Sequence, residues 1–490
     1  MTREISSVPE AEGKISEDHT ARNRLVITLL LVSAFVVILN ETIMGVALPH
    51  LMADLKITAS AAQWLTTAFM LTMAVVIPVT GFLLQRLNTR PVFILAMSLF
   101  SAGTLICGLA PGFPVLVAGR IVQASGTAIM MPLLMTTVMN LVPPETRGKT
   151  MGNISIVISV APAIGPTLSG LILSFLDWRW MFFLVLPIAL AALALGAKRI
   201  ENVTVPTNAP IDVLSVVLSA IGFGSFVYGL NALGEAAVNP SAVSPWVPLL
   251  LGAAVIAFFV LRQLSLQKRD RALLDLRTLT SKPFTIAAVL MAIMMMSMLG
   301  VFILLPIYLQ TVLGLTTLQT GLLLLPGGLI MGLCAPVVGR VFDKVGPAPL
   351  VIPGALLFSL SMWSLVFIET NTSVWMLLAA HVVLSIGLAL MFTPLFTVSL
   401  GSLPQHLYAH GSAMIGTTQQ VAGAAGTALF VAILTSRASS LTSAGGDALA
   451  ATTGGAKAAF LCGALISLAA ILAACLLRKP KLQRSEVAGH

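Results

Sequence analysis

The sequence predicts an all-α polytopic membrane protein, because it is very apolar, carries few charges and contains fourteen long apolar runs. Of its 490 residues, 57% are hydrophobic and only 9% are charged, and the mean hydropathy is +0.99. Soluble domains carry about 25% charged residues, so this composition excludes a soluble enzyme. It also excludes an ordinary nucleic-acid-binding protein, although the formal net charge is +9.

The apolar runs are long enough to be membrane-spanning helices, since a helix needs about 20 apolar residues to cross a hydrocarbon core of ~30 Å. Continuous runs of this kind exclude a β-barrel, whose strands are short and alternate in polarity. The first run is too long for a signal peptide and is therefore interpreted as a span. The predicted spans are 25–48, 61–84, 91–110, 114–141, 151–175, 180–197, 211–233, 246–265, 283–311, 320–341, 349–368, 374–399, 411–436 and 458–477.

The loop charges predict the orientation, because cytoplasmic loops of membrane proteins are rich in lysine and arginine. With a cytoplasmic N-terminus, nearly all of the 27 basic residues fall in cytoplasmic segments, and the C-terminus is cytoplasmic as well. Arg120 lies inside a span, and the outer segments hold only Lys56, Arg179, Arg437 and Lys457. The sequence thus predicts a multi-pass protein of the cytoplasmic membrane, embedded in the lipid bilayer.

A weak internal repeat predicts two related bundles of six helices. The segment 81–90 after the second span is similar to 339–346 after the tenth, and Arg120 with Gly126 matches His381 with Gly387 at nearly the same separation. Such parallel repeats are typical of transporters with a central site near the bilayer midplane. The predicted division is a cytoplasmic N-tail (1–24), an N-terminal bundle (25–198), two inserted helices with linkers (199–282), a C-terminal bundle (283–477) and a cytoplasmic C-tail (478–490).

Three ionisable residues lie well inside predicted spans, namely Glu41, Arg120 and His381. Each costs at least ~2.5–3.5 kcal/mol to insert, so each needs a partner, water or a function. All three lie roughly 10 Å from the outer end of their span at ~1.5 Å per residue, which predicts one shared cavity. A carboxyl group there favours its protonated form, and a nearby cation favours the carboxylate. We therefore expect these residues to couple protons to transport.

Each of the three residues has a simpler interpretation. Glu41 can form a static ion pair with Arg120, and Arg120 can extend along its helix to the membrane surface. His381 can be a neutral core histidine that is held by a hydrogen bond.

Other residues in the spans are candidates for gating or for cargo binding. Pro162, Gly165, Pro166 and Gly170 in the fifth span predict a bendable helix seam, although membrane helices commonly contain glycine and proline. Met44, Trp64 and Phe69 have soft or aromatic side chains that suit a permissive apolar pocket, and the alternative role for each is packing in the core or against lipid. The amides of Gln419 and Gln420 suit a polar passage, and their alternative role is hydrogen bonding between helices. The candidates for cargo binding are Met44, Trp64, Phe69, Gln419 and Gln420.

Motifs for catalysis or ATP use are missing from the sequence. It contains no phosphate-binding P-loop, no HExxH pair, no GxSxG elbow and no TVGYG channel filter. The four cysteines form no CxxC pair and no cluster with histidine. We therefore expect that the protein is not an enzyme and needs no cofactor or metal. We expect a proton gradient to be its energy source.

Several motifs together resemble the major facilitator superfamily, and within it the fourteen-helix drug:proton antiporters of the lincomycin-resistance type. Leu39–Pro49 is similar to the first-helix signature L-D-x-T-x-x-x-x-A-L-P, and Arg120–Gly126 to the fourth-helix motif R-x-x-Q-G-x-G, with Ala124 at the middle glycine. Gly165-Pro166 with Gly170 resembles the fifth-helix antiporter motif. The two loop copies resemble the superfamily loop motif, which implies gating or packing roles for Gly81, Arg86, Arg90, Gly339, Arg340 and Asp343.

The resemblance implies proton-coupled efflux of hydrophobic or amphipathic drugs by alternating access. The expected partners are a small drug-like molecule, protons and the lipid bilayer. The protein is expected to be monomeric and to bind no nucleic acid. The resemblance places Asn40 and Gln123 at the cargo site. The sequence departs from the family at two positions. Where the family has an acidic residue in the first helix this chain has Asn40, with Glu41 beside it, and where the first loop motif has one this chain has Gln85. The alternative functions are export of one endogenous metabolite, amino acid or lipid, and a non-transporting sensor or scaffold.

Overall fold

The computed structural model describes residues 8–202, 212–236 and 244–477, with the side chains of the first helix from Arg22 onward. Within these ranges, fourteen helices are long and apolar enough to cross a membrane, which confirms the predicted fold class. They are α1 (Val8–Leu55), α2 (Ala59–Arg86), α3 (Thr89–Gly108), α4 (Phe113–Leu141), α5 (Arg147–Phe175), α6 (Trp180–Arg199), α7 (Val213–Ala236), α8 (Trp246–Leu266), α9 (Lys282–Thr311), α10 (Thr317–Val345), α11 (Ala348–Val366), α12 (Val374–Gly401), α13 (Tyr408–Ser443) and α14 (Ala448–Leu476).

Several helices are longer than the predicted spans. The first, predicted at 25–48, lies inside α1, and the last, predicted at 458–477, begins at Ala448, where Asp447 accepts a capping hydrogen bond from the Leu449 amide. Arg437 and Lys457, predicted in outer loops, therefore lie within α13 and α14. The reason is that hydropathy identifies the part of a helix that suits hydrocarbon, whereas polar turns extend the same helix beyond it.

Some of the predicted segments lie outside the described residues. These are the start of the N-tail (1–7), part of the linker before α7 (203–211), the connection between α7 and α8 (237–243) and the C-tail (478–490).

The helices pack in two groups. In the first, α3 packs on α4 and α6, α1 on α5 and α6, and α2 on α4; in the second, α9 packs on α13 and α14, and α11 on α12 and α14. Backbones approach closely at two glycines. A Cβ on Gly126 of α4 would lie 2.3 Å from the Ala96 carbonyl oxygen of α3, and one on Gly426 of α13 would lie 2.0 Å from that of Met296 in α9. Only glycine fits at such contacts.

The two groups meet along two seams, α5 with α10 and α2 with α13. A Cβ on Gly339 of α10 would lie 2.1 Å from the Gly148 carbonyl oxygen of α5. The Ser155 and Thr393 hydroxyls are hydrogen-bonded at 2.8 Å between α5 and α12. These contacts lie in the helix halves for which the loop charges predict the cytoplasmic side. The structure is thus closed on that side.

The inserted helices α7 and α8 pack on each other, and α7 also packs on both α2 and α13. Arg262 of α8 forms a two-pronged ion pair with Asp212, whose two oxygens each lie 2.7 Å from a guanidinium nitrogen. The Gln263 side-chain oxygen accepts hydrogen bonds from the Leu273 amide at 2.8 Å and the Leu274 amide at 3.3 Å. The linker after α8 is thereby fixed to the inserted pair.

The Asp212–Arg262 pair should make the packing of α7 on α8 sensitive to acid. Hydrogen bonding to Arg262 lowers the pKa of Asp212 to about 2, below the unfolded value of about 3.9. The pair therefore stabilises the fold above about pH 4, and the contribution is lost as the pH falls towards 2. Asp212→Asn should lower the melting temperature of the detergent-solubilised protein at pH 7, and the difference from the native chain should shrink below about pH 4. A difference that stays constant down to pH 3 would contradict this role.

Candidate transport site

The charge of Arg120 is buried and held by three helices. The side chain on α4 is only 1% exposed, and its Nη1 donates a hydrogen bond of 2.6 Å to Gln123 Oε1. Gln123 Nε2 in turn donates to Thr104 Oγ1 of α3 at 2.8 Å. On another side, the guanidinium carbon lies 4.1 Å from the centre of the Phe69 ring of α2, a cation–π contact. The guanidinium is therefore fixed in position.

Glu41 of α1 lies close enough to Arg120 to interact with it electrostatically. The two side chains, both in the part of the chain that the structure describes, make no ion pair within the 4.0 Å limit for such contacts. Among the described residues, Arg120 Nε has no hydrogen-bond partner. The site thus combines a fixed buried cation with a carboxyl group that is not locked to it.

His381 is placed differently from the other two ionisable residues. Its ring on α12 lies against Gly327 of α10, and Nε2 is hydrogen-bonded to the Leu324 carbonyl oxygen at 3.2 Å. Within the described residues, it forms no hydrogen bond and no ion pair with Glu41 or Arg120. The structure therefore brings Glu41 and Arg120 together and leaves His381 in the contact between α10 and α12. Depth along a helix, which suggested one cavity for all three, does not fix the face on which a side chain lies.

Two of the predicted cargo-binding residues support Arg120 instead of facing an open cavity. Gln123 is 0% exposed and uses both ends of its amide in the Thr104–Arg120 chain, and Phe69 is 2% exposed beneath the guanidinium. Met44 is buried in an apolar cluster with Trp178 and Phe182. In these three cases the side chain is occupied by packing or hydrogen bonds within the protein.

The remaining predicted cargo residues are more open or unpaired. Asn40 is buried, yet its Oδ1 has no hydrogen-bond partner among the described residues. Trp64 is 43% exposed and stacks on Tyr228 of α7, with ring centres 5.8 Å apart. Gln419 and Gln420 are partly exposed on α13. Asn40, next to Glu41 in sequence, therefore carries a buried oxygen without a hydrogen-bond partner among the described residues.

The two copies of the loop motif close the seams in different ways. Asp343 accepts hydrogen bonds from the backbone amides of Gly148 at 2.7 Å and Lys149 at 2.8 Å, at the N-terminus of α5. A carboxylate is favoured there by the helix dipole. At the equivalent place in the first copy, Gln85 Nε2 donates a neutral hydrogen bond to the His406 carbonyl oxygen just before α13. The contact at Asp343 thus involves a charged group, whereas the hydrogen bond from Gln85 to the His406 carbonyl oxygen is neutral.

The other predicted gating residues occupy varied surroundings. Gly81 lies in the α2–α13 seam, where a Cβ would be 3.2 Å from that of Ala413. Arg86, Arg90 and Arg340 are exposed at or near helix ends, and the Arg90 backbone amide donates to the Asn202 side chain at 3.2 Å. None of these three arginines is buried in a seam.

The fifth-helix motif contains one close contact. A Cβ on Gly165 would lie 2.2 Å from Thr42 Oγ1 of α1, whereas one on Gly170 would meet open space. The helix α5 runs through Pro162, which is half-buried, and the Pro166 side chain lies outside the described residues. The contact at Gly165 therefore joins α1, which carries Glu41, to α5 of the seam. Thr42 was missed by the sequence analysis, because nothing in the motif indicates that it faces a glycine.

Removing the amide of Gln123 should destabilise the protein measurably. Gln123→Leu leaves the buried Arg120 Nη1 without its acceptor, which costs about 1–3 kcal/mol, and the Thr104 hydroxyl keeps only its bond to the Phe100 carbonyl oxygen. Ser125→Ala is a matched control on α4, because the Ser125 hydroxyl bonds only to the Ile121 carbonyl oxygen of its own helix. Unfolding of both variants in detergent, followed by circular dichroism, should show a clear loss for Gln123→Leu and less than about 0.5 kcal/mol for the control. Equal stabilities would mean that the chain from Thr104 to Arg120 does not form.

Comparisons with known proteins agree with this architecture. The family model described as Major Facilitator Superfamily matches residues 30–427. The chain is 40% identical to the MFS-type transporter YcnB of Bacillus subtilis over 94% of this chain and 96% of that protein. It is 39% identical to the lincomycin resistance protein LmrB of Listeria monocytogenes, over 93% of this chain and 97% of that one.

A solved structure shares the fold at low sequence identity. The human organic anion transporter MFSD10 superposes with a TM-score of 0.67 over 92% of this chain and 99% of its own, at 15% identity. Such a likeness concerns the fold alone. Together with the family match and the relatives near 40% identity, it supports the resemblance stated from the motifs, and the chain is a multi-pass transporter of the cell membrane that belongs to the Major Facilitator Superfamily.

Proposed function

We propose that this transporter exports hydrophobic or amphipathic drugs across the cytoplasmic membrane in exchange for protons, by alternating access. It acts as a monomer with both termini in the cytoplasm, and it needs no cofactor because the proton gradient supplies the energy. The observation that carries the proposal is the pairing of the buried Arg120 with the half-buried Glu41, in which the cation is fixed and the carboxyl group is not locked to it.

The pair is suited to a proton switch because its two members differ in freedom. Arginine does not lose its proton in proteins, and Phe69 and Gln123 hold its guanidinium in place. Glu41 lies within the electrostatic reach of that charge without a direct ion pair. A small change in distance or hydration therefore alters the preference of Glu41 for a proton. Cargo that enters beside it and a proton from outside then compete for the same carboxyl group.

Alternating access requires a closed seam that can open. The seams described above join α5 to α10 and α2 to α13 in the predicted cytoplasmic half, so the route to the central site from that side is closed in this conformation. The hydrogen bonds from Gly148 and Lys149 to Asp343, and the one between Ser155 and Thr393, would have to break before the site faces the cytoplasm. Rocking of one bundle against the other achieves this without unfolding either bundle.

The relatives support a drug as the cargo. A protein 39% identical over most of this chain is named for lincomycin resistance. A specific endogenous metabolite, amino acid or lipid is the competing cargo.

Everted membrane vesicles test the proposal. In energised vesicles that contain the protein, addition of a transported drug should discharge part of the pH gradient, and vesicles from cells without it should give no response. A panel of unrelated drugs and common metabolites should show several responding drugs. A response to one metabolite alone would favour the specific exporter, and drug uptake that persists after an uncoupler is added would remove the proton coupling.

A further inference from the structure

A cavity of about 590 Å³ lies where the inserted helices meet both bundles, and no part of the proposed transport cycle uses it. Its volume is in the range of small-molecule sites. One wall is the linker that follows α8, and the other walls come from the end of α2 and the start of α13. The lining residues used below are Gln85, Arg269, Asp270, Arg271, Asp275 and Arg277.

The acidic residues of the cavity are already neutralised in part. Arg277 donates hydrogen bonds of 2.6 Å to Asp270 and to Asp275, and Asp275 is 2% exposed. Arg269 and Arg271 are exposed, and within the described residues neither forms an ion pair. The cavity therefore presents two unpaired guanidinium groups, which bind phosphate oxygens well because of their fork-shaped donor geometry.

The surface next to the cavity is apolar. The helix α8 ends at Leu266, immediately before this linker. Its outward face exposes Phe258 (55%), Leu261 (64%) and Leu264 (42%). In a protein of this family that face contacts lipid chains. The guanidinium groups thus follow the end of a membrane-spanning helix that packs on α7 with one face and exposes the other to acyl chains, which is the level of the lipid headgroups.

We propose that this cavity binds the headgroup of an anionic phospholipid, with its acyl chains along the exposed face of α8. Two unpaired arginines match the charge of the phosphodiester, and the apolar face of α8 favours a lipid over a free phosphate ester. Basic pockets between membrane helices bind anionic headgroups in this way. Because Gln85 belongs to α2 and the opposite wall to α13, the site is complete only while that seam is closed, and a bound lipid favours the closed seam.

Lipid titration of the purified full-length protein in detergent tests the site. Phosphatidylglycerol should raise the melting temperature in a saturable manner, whereas phosphatidylcholine should not. Each basic residue at a membrane surface contributes enough binding free energy to change the affinity for an anionic lipid about fivefold. The apparent affinity for phosphatidylglycerol should therefore fall about fivefold in Arg271→Gln and about 25-fold in Arg269→Gln with Arg271→Gln.

Lys268→Gln is the matched control, because Lys268 is exposed in the same turn and does not line the cavity. Its affinity should change less than about twofold if a defined site binds the lipid. An equal loss in Lys268→Gln and Arg271→Gln would overturn the proposal in favour of a diffuse surface charge. If glycerol phosphate raised the melting temperature as much as phosphatidylglycerol does, the proposal would be overturned as well, since a soluble anion would then suffice. The readout is binding, so it stands or falls separately from proton-coupled transport.

Discussion

Glu41→Gln should abolish the discharge of the pH gradient by drugs in everted vesicles, while the protein still folds and inserts. Glutamine keeps the shape of the side chain but cannot release or take up a proton. The carboxyl group near the fixed charge of Arg120 is lost, so cargo no longer displaces a proton from this place. We expect at least a tenfold reduction of drug-induced fluorescence recovery of a pH-sensitive dye.

Glu369→Gln provides the matched control, because it makes the same change at an exposed residue in the turn between α11 and α12. Its response should equal that of the native protein. Drug binding by the purified Glu41→Gln variant should weaken and lose its pH dependence, since cargo and proton no longer compete for a carboxyl group at this place. If Glu41→Gln exchanges protons for drug at the native rate, Glu41 is not part of the coupling, and another acidic residue must be sought.

Gly339→Ala should open the closed seam and strongly reduce transport. The added Cβ would lie 2.1 Å from the Gly148 carbonyl oxygen and 3.2 Å from the Gly152 Cα, so the backbones of α10 and α5 must separate. Overpacking of this kind costs about 1–3 kcal/mol. Because the strain exists only while the seam is closed, it shifts the equilibrium towards the open seam by roughly fivefold to 150-fold. Disulfide formation between cysteines introduced at Ser155 and Thr393, whose hydroxyls are 2.8 Å apart, should fall accordingly.

Gly321→Ala is the control for this change, because it adds the same methyl group to α10 where no atom lies within 4 Å. Crosslinking and drug efflux should both remain near the native level in that variant. Native crosslinking in Gly339→Ala would show that the helices accommodate the methyl group without separating. The contact at Gly148 would then not control the seam.

The fold was predictable because hydrocarbon imposes a length and a polarity on every span. All fourteen helices were recognised from apolar runs, and the family from its motifs. The ends of α1, α13 and α14 were not predicted, because polar turns such as the one capped by Asp447 continue a helix beyond the apolar run, and hydropathy does not distinguish such a turn from a loop. The loop-motif aspartate, Asp343, was recognised, but its partners are backbone amides that leave no trace in the sequence.

Residue counting predicts the depth of the candidate transport site but not its contacts. Residue counting placed Glu41, Arg120 and His381 at one level, yet it does not determine which helix face meets which neighbour. Thus His381 contacts Leu324, while Gln123 and Phe69 are held against Arg120. Thr104, which completes the chain to Arg120, gave no signal because serine and threonine in membrane helices usually bond to their own backbone. Gly148 and Gly152, four residues apart at the start of α5, carried a usable signal of close packing.

The difference between Asp343 and Gln85 has a consequence for the order in which the closed face separates. The contact of Asp343 with the start of α5 depends on a charge near a helix N-terminus, and dissolved salt weakens the interaction of a charge with a helix dipole. The Gln85 contact with the His406 carbonyl is neutral and is little affected by ions. Rising ionic strength on that face should therefore loosen one edge before the other, so that the transporter tilts open from the α5 edge.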